Sequence, residues 1–202
     1  DKVAMQSITE AVKESKADLG VIFDTDVDRA AIVDQNGGEI NKNRLIALIS
    51  AVLMEEKKGT IVTDSVTSAG LAEFIPSVLG GKHHRFKRGY KNVIDEAKRL
   101  ESEGISAPLA IETSGHAALK ENRFLDDGAY LVVRLLCKAA SLANEGRQLG
   151  DMIADLPRPV ETREIRLNIL AEDFRAYGQK VLDDFEKFAA KQKSALPGSE
   201  AR

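Results

Sequence analysis

The sequence predicts an α/β fold: a mixed, largely parallel sheet covered by helices, with partial domains on either side. Three observations carry this. Between residues 39 and 145, short apolar runs alternate with helical patterns of ten or more residues, the rhythm of strand–helix crossover units. Residues 1 to 38 differ: an acidic hexapeptide stands between two short strands, and a glycine-containing turn follows the second. Beyond Pro157 and Pro159 only one strand and one helix are expected, too little to enclose a core.

In chain order, residues 5 to 16 read as a helix, and Asp18 to Phe23 supply an apolar run of strand composition. Ala30 to Val33 form a second strand, and Asp34-Gln35-Asn36-Gly37-Gly38 holds the residues a tight turn needs. From Asn41 the period becomes 3.6: Leu45, Ile46, Leu48, Ile49, Val52 and Leu53 make an apolar stripe that Lys57-Lys58-Gly59 ends. Strands are expected at 60–63, 82–87 and 108–111, and helices at 68–79, 90–103 and 127–144, the first containing Pro76 and closed by Gly80-Gly81. A short helix follows Leu149-Gly150. Glu164 to Ile169 then reads as a strand and Glu172 to Lys191 as a helix. The expected divisions are 1–38, 39–148 and 149–202.

With 43% hydrophobic and 30% charged residues, 202 residues can bury one good core plus attached fragments. A net charge of −3 argues against a nucleic-acid or membrane partner and favours a small anionic metabolite. No apolar stretch approaches the ~20 residues of a membrane span. Cys137 is the only cysteine, so no internal disulfide forms; it sits in an apolar helical pattern and is expected in the core of a protein from a reducing compartment. No signal or transit peptide is evident, and the helical pattern already running at Asp1 suggests a fragment.

Three segments carry chemistry. In Asp24-Thr25-Asp26-Val27-Asp28-Arg29, an extended backbone would point Asp24, Asp26 and Asp28 one way. Three carboxylates suit a hard cation such as Mg²⁺ at ~2.0–2.1 Å, and Arg29 offers a planar fork for phosphate. A solvated acidic turn is the plain alternative. A calcium EF-hand loop is excluded because its sixth and twelfth positions would hold Arg29 and Gln35. The segment is also similar to the DxDx(T/V) signature of haloacid-dehalogenase-type phosphatases, in which Asp24 would be the nucleophile and Asp26 the general acid. The second segment is Ile111-Glu112-Thr113-Ser114-Gly115-His116 at a strand exit. There Glu112 and Ser114 could hold sugar hydroxyls, and His116 could bind phosphate or move a proton; a surface strand end with a helix cap is the alternative. The third runs from Lys82 through His83, His84 and Arg85 to Lys91, a phosphate-gathering stretch or a solvated sheet edge. His83 and His84, as strand neighbours, should face opposite sides and not share a metal.

Taken in order, these segments resemble the α-D-phosphohexomutase family, the phosphoglucomutases and phosphomannomutases. DTDVDR is similar to that family's DGDxDR metal loop and IETSGH to its GExSGH sugar loop. The segment from Asn122 through Asp126-Asp127-Gly128 to Tyr130 resembles the stretch after the sugar loop, and Gly89-Tyr90-Lys91 a G-x-K turn near the sugar phosphate. The resemblance implies a four-domain enzyme that interconverts hexose 1- and 6-phosphates through a phosphoserine and a bisphosphorylated sugar. It implies Mg²⁺ on Asp24, Asp26 and Asp28, catalytic roles for Arg29 and His116, and substrate contacts from Glu112, Ser114 and Lys91. Thr25 and Ile111 stand where the family carries glycine, which points to altered substrate choice. The phosphoserine domain and the last domain's phosphate clamp have no counterpart here. The expectation is therefore the end of a second domain, a third domain and the start of a fourth, inactive without the missing domains of the same polypeptide. The expected location is cytoplasmic, or plastid where a transit peptide was removed upstream.

Overall fold

The computed structural model describes residues 2–159, 165 and 167–195. It divides into a unit of residues 1–160 and a unit of residues 161–202. In the first, helix α1 (Lys2–Ser15) lies on a three-stranded antiparallel sheet of β1 (Leu19–Phe23), β2 (Ala30–Asp34) and β3 (Glu39–Ile40). Met5 and Val12 of the helix pack on Val33, with Ile8, Ile22 and Ala31 around them. Residues alternate faces along a strand. Ile32, next to Val33, therefore faces the other way, into the main core with Ala30 and Ile40.

That main core is built on α2 (Asn43–Glu56), whose residues Leu45 through Met54 are all buried. The sequence predicts a stripe; the helix is instead enclosed on every side, as befits a helix apolar all round. Next come β4 (Thr60–Asp64), α3 (Ala69–Ser77), β5 (Lys82–Phe86), α4 (Tyr90–Ser102), β6 (Leu109–Ile111), β7 (Ala117–Leu119) and α5 (Gly128–Asn144). Ser68 caps α3 by accepting the Leu71 N–H at 3.1 Å. The strands order as β5-β4-β6-β7, parallel except for the antiparallel β6–β7 pair. All of β4 is buried, and its side chains divide cleanly: Ile61 faces the main core, while Val62 faces a second core with Val93, Ala97 and Leu100 of α4. Helices thus cover both faces, the condition for a largely parallel sheet.

The helix boundaries follow the sequence reading within a few residues. The extended segments β3 and β7 do not; at two and three residues they are too short to show a period. Cys137 is exposed, contrary to the expected core position. The buried stripe of α5 is set by Leu131, Leu135 and Leu142, and Cys137 stands about 200° around the helix from Leu135. A 3-10 turn, Leu149–Ile153, follows, and Leu149, Ile153 and Leu156 bury in the main core of the first unit.

In the second unit, α6 (Phe174–Ala195) matches the expected helix and leaves Phe174, Tyr177, Val181, Phe185 and Phe188 exposed. Of the expected strand at 164–169, residues 165 and 167–169 are not in a strand, and the rest lies outside the described residues. No described helix is long and apolar enough to cross a membrane.

Candidate functional site

The acidic segment joins β1 to β2 as a tight turn and not as the extended run expected. The Asp24 carbonyl accepts the Val27 N–H at 3.3 Å, and the Asp24 N–H donates to the Arg29 carbonyl at 3.4 Å. The carboxylates of Asp24, Asp26 and Asp28 still converge, each offering an oxygen within 4.8 Å of the others. Closure of the turn, in place of strand alternation, brings them together.

Tight closure strains Val27, whose φ of 64° is a left-handed conformation that branched side chains resist. Val27→Gly is expected to stabilise the chain by up to about 1.5 kcal/mol, after the left-handed penalty of ~1–2 kcal/mol is set against glycine's entropy cost of ~0.5–1 kcal/mol. Urea unfolding would measure it, and a lower midpoint would contradict it.

Arg29 lies within this acid cluster. Its Nε is 2.5 Å from Asp24 Oδ2 and 3.7 Å from Asp28 Oδ1, and its backbone N–H donates to Asp24 Oδ1 at 3.2 Å. Burial pushes Asp24 upward, but the hydrogen bonds and charge of Arg29 outweigh it and hold the carboxyl below its ordinary value. Burial raises Asp28, with Asp24 and Asp26 adding repulsion against the pull of His116. The hydrogen bond to Asp24 raises Arg29 in turn. Asp28 Oδ1 is buried without a hydrogen-bond partner. A buried carboxylate oxygen lacking a donor, inside a cluster of three acids, fits a hard divalent cation. Asp24, with both oxygens bonded to Arg29, is poorly placed as a phosphoryl nucleophile.

The second segment, Glu112 to His116, is the turn between β6 and β7. Here too a turn replaces the expected alternation: the Glu112 N–H donates to the His116 carbonyl at 2.9 Å and the Gly115 N–H to the Glu112 carbonyl at 3.1 Å. Glu112 is buried and accepts the Gly89 N–H at 2.5 Å and the Ser114 hydroxyl at 3.0 Å. It thus ties this turn to the start of α4, where Tyr90 and Lys91 are exposed. The Tyr90 ring stacks on His116 with centroids 4.9 Å apart.

His116 leaves Glu112 and Ser114 and joins the acid loop. Its backbone bridges that of Arg29, and its Nδ1 lies 2.7 Å from Asp126 Oδ2 and 3.4 Å from Asp28 Oδ2. Asp28, His116 and Asp126 thereby form a second close group that shares Asp28 with the first. The N-terminus of α5 closes the arrangement: the Gly128 N–H donates to the Val27 carbonyl at 3.1 Å, and Asp127 caps the helix through the Tyr130 N–H.

The basic segment behaves mostly as a sheet edge. Arg85 donates to the Thr67 hydroxyl and the Ser68 carbonyl. His83 pairs with the Thr63 hydroxyl, and burial together with nearby Arg85 and His84 pushes it down to about 4. His84 turns the other way, to Glu96 at 2.8 Å.

Sequence reasoning did not single out three residues that build the site: Asp126, Gly128 and Asp64. Asp64 is fully buried at the end of β4, accepts the Thr113 hydroxyl at 2.7 Å and is raised chiefly by burial. Its signal was an acid directly after an apolar strand. Asp126 and Gly128 belong to the stretch after the sugar loop; Asp126 bonds back to His116 and Ala117 across that turn, whereas Gly128 meets Val27 and Arg29, about 100 positions earlier.

An acidic loop pressed against the turn that leaves a largely parallel sheet lies where the ligand sites of such α/β proteins collect. Residues 41–160 match the family model for phosphoglucomutase/phosphomannomutase, alpha/beta/alpha domain III, and residues 1–38 match that for domain II. The chain belongs to the phosphoglucomutase/phosphomannomutase family. It is 32% identical over 167 residues to a phosphomannomutase/phosphoglucomutase of Pseudomonas syringae, a match over 82% of this chain and 34% of that protein. A phosphoglucomutase/phosphomannomutase family protein of Burkholderia thailandensis superposes with TM-score 0.69 at 28% identity, covering 81% of this chain and 34% of that one. The fold extends to Aspergillus fumigatus N-acetylphosphoglucosamine mutase in complex with GlcNAc-6P and magnesium, with TM-score 0.50 and 15% identity over 74% of this chain and 36% of that one. The chain spans about a third of the length of the curated relatives it matches.

Proposed function

We propose that this chain is the cation- and sugar-holding portion of a phosphohexomutase that interconverts hexose 1- and 6-phosphates. The observation that carries this reading is the sharing of Asp28. One carboxylate belongs both to the acid cluster and to the group with His116, so the cation loop and the sugar loop are a single site. We divide the chain as residues 1–38, the end of a second domain; 39–148, the third; and 149–202, a connector and the start of a fourth. The connector's Leu149, Ile153 and Leu156 pack into the first unit's core.

In this reading Asp24, Asp26 and Asp28 hold Mg²⁺, which when bound supplies positive charge against a phosphoryl group on a phosphoserine elsewhere in the polypeptide. The presence of magnesium and GlcNAc-6P in the Aspergillus protein supports a magnesium site and a sugar-phosphate ligand in this reading. Arg29 exchanges its bonds to Asp24 for bonds to phosphoryl oxygens, an exchange its planar fork suits. Glu112 and Ser114 present acceptors to sugar hydroxyls, Lys91 contributes charge toward the phosphate, and His116 handles a proton. Positioning and charge neutralisation supply most of the rate in phosphoryl transfer, and these residues do both.

The 202-residue chain is expected to bind Mg²⁺ weakly by calorimetry. Incubated with glucose 1-phosphate and a bisphosphate activator, it should form no glucose 6-phosphate. Robust turnover would overturn the fragment reading. Release of inorganic phosphate from a small phosphoester, lost in Asp24→Asn, would replace the mutase by a phosphatase. Coding sequence upstream of Asp1 should specify a further α/β domain with a phosphorylatable serine.

A further inference from the structure

His116 is held more completely than a surface histidine requires. Its Nδ1 is 2.7 Å from Asp126 Oδ2, within ordinary hydrogen-bond distance, whereas Asp28 Oδ2 at 3.4 Å is beyond it. One ring face is covered by Tyr90. Its backbone is pinned on both sides, by the bridge to Arg29 and by the Glu112 N–H. Nε2 takes part in no hydrogen bond among the described residues.

Asp126 is itself anchored. Its Oδ1 accepts the Ala117 N–H at 3.2 Å, the Asp127 N–H donates to the Ala117 carbonyl at 3.0 Å, and the backbone of Asp126 bridges Ala118. Both carboxylate oxygens therefore act as acceptors, one toward a backbone N–H and one toward the imidazole. An acceptor at Nδ1 requires the proton of the neutral ring to be there, which leaves the lone pair on Nε2.

We propose that Asp126 is a positioning residue that holds the neutral His116 ring in the Nδ1–H tautomer and leaves Nε2 as its free, working nitrogen. The relevance of the tautomer to phosphoryl transfer rests on the function proposed above; the tautomer itself does not.

Asp126→Asn provides a sharp test, because an amide has one acceptor where the carboxylate has two. With its oxygen on the Ala117 N–H, the amide turns its NH₂ toward Nδ1 and drives the proton to Nε2, the tautomer reversal expected when an orienting Asp becomes Asn. The readout is the two-bond ¹H–¹⁵N spectrum of the 202-residue chain, recorded at a pH where the ring is neutral, with His116 assigned from the spectrum of His116→Gln. The wild type should show a protonated Nδ1 and an unprotonated Nε2. Asp126→Asn should reverse the pattern, and Asp126→Glu should restore it. A wild-type ring protonated at Nε2 would overturn the proposal without any variant having to fold, and so would an unchanged pattern in a folded Asp126→Asn. Neither result bears on whether the chain binds Mg²⁺, so failure here is distinguishable from failure of the functional assignment.

Discussion

Gly128→Ala is expected to destabilise the chain by about 1–3 kcal/mol, the usual cost of forcing a methyl into a filled space, and to weaken Mg²⁺ binding with it. A Cβ at Gly128 would lie 2.9 Å from the Val27 carbonyl oxygen, 2.9 Å from the Arg29 carbonyl carbon and 3.1 Å from the Arg29 nitrogen. All three are backbone atoms, so no side chain can rotate aside. Either α5 withdraws from the acid loop, breaking the Gly128–Val27 hydrogen bond, or the loop opens and spreads its carboxylates. Urea denaturation reads the first consequence and calorimetric titration of Mg²⁺ the second. In a domain of this size the melting temperature should fall by roughly 2–4 °C per kcal/mol. Wild-type stability and wild-type Mg²⁺ affinity in Gly128→Ala together would show that the helix does not support the loop.

Asp26→Asn should behave in the opposite way. Asp26 is exposed, and its charge adds to the repulsion that raises Asp28. Removing that charge leaves the Asp24–Arg29 pair intact and relieves the loop, so metal-free stability should hold or rise slightly. Mg²⁺ affinity should nevertheless fall by at least roughly tenfold, because even outer-sphere changes at metal sites cost 10–100-fold. Calorimetry and thermal melting, each with and without Mg²⁺, separate the two effects. Unchanged affinity would remove Asp26 from the ligand set. A loss of metal-free stability would show that the acids are not in repulsion.

Much of the fold was legible because the signals were long. α2 and α4 show helical periods over 14 and 13 residues, and the alternation of strand and helix sets the layer type without reference to any tertiary contact. Legibility failed where the signal was short or the governing contact distant. β3 and β7 are too brief to have a period. Cys137 lies in an apolar run whose buried side is chosen by the partners of Leu131 and Leu135, and that choice left it outside. Local patterning predicts both the acidic and the sugar segment as extended, although each is a tight turn; a cluster of like side chains shows what must converge but not the backbone that achieves it.

The sequence by itself determined the chemistry available to this protein: three closely spaced aspartates with an arginine, and Glu112, Ser114 and His116 at a strand exit. Local order and residue type suffice for that, because the groups lie within a few residues of one another. Only the tertiary structure decided how those groups are divided. It set Arg29 on Asp24, tied Glu112 to Gly89, and carried His116 across to Asp28 and Asp126. The physical reason is that Arg29 meets Asp24, and His116 meets Asp126, through the closure of turns, while Glu112–Gly89 and His116–Asp28 are brought together by backbone packing between separate segments, with Gly128 pressed close on the acid loop; side-chain identity carries no record of either.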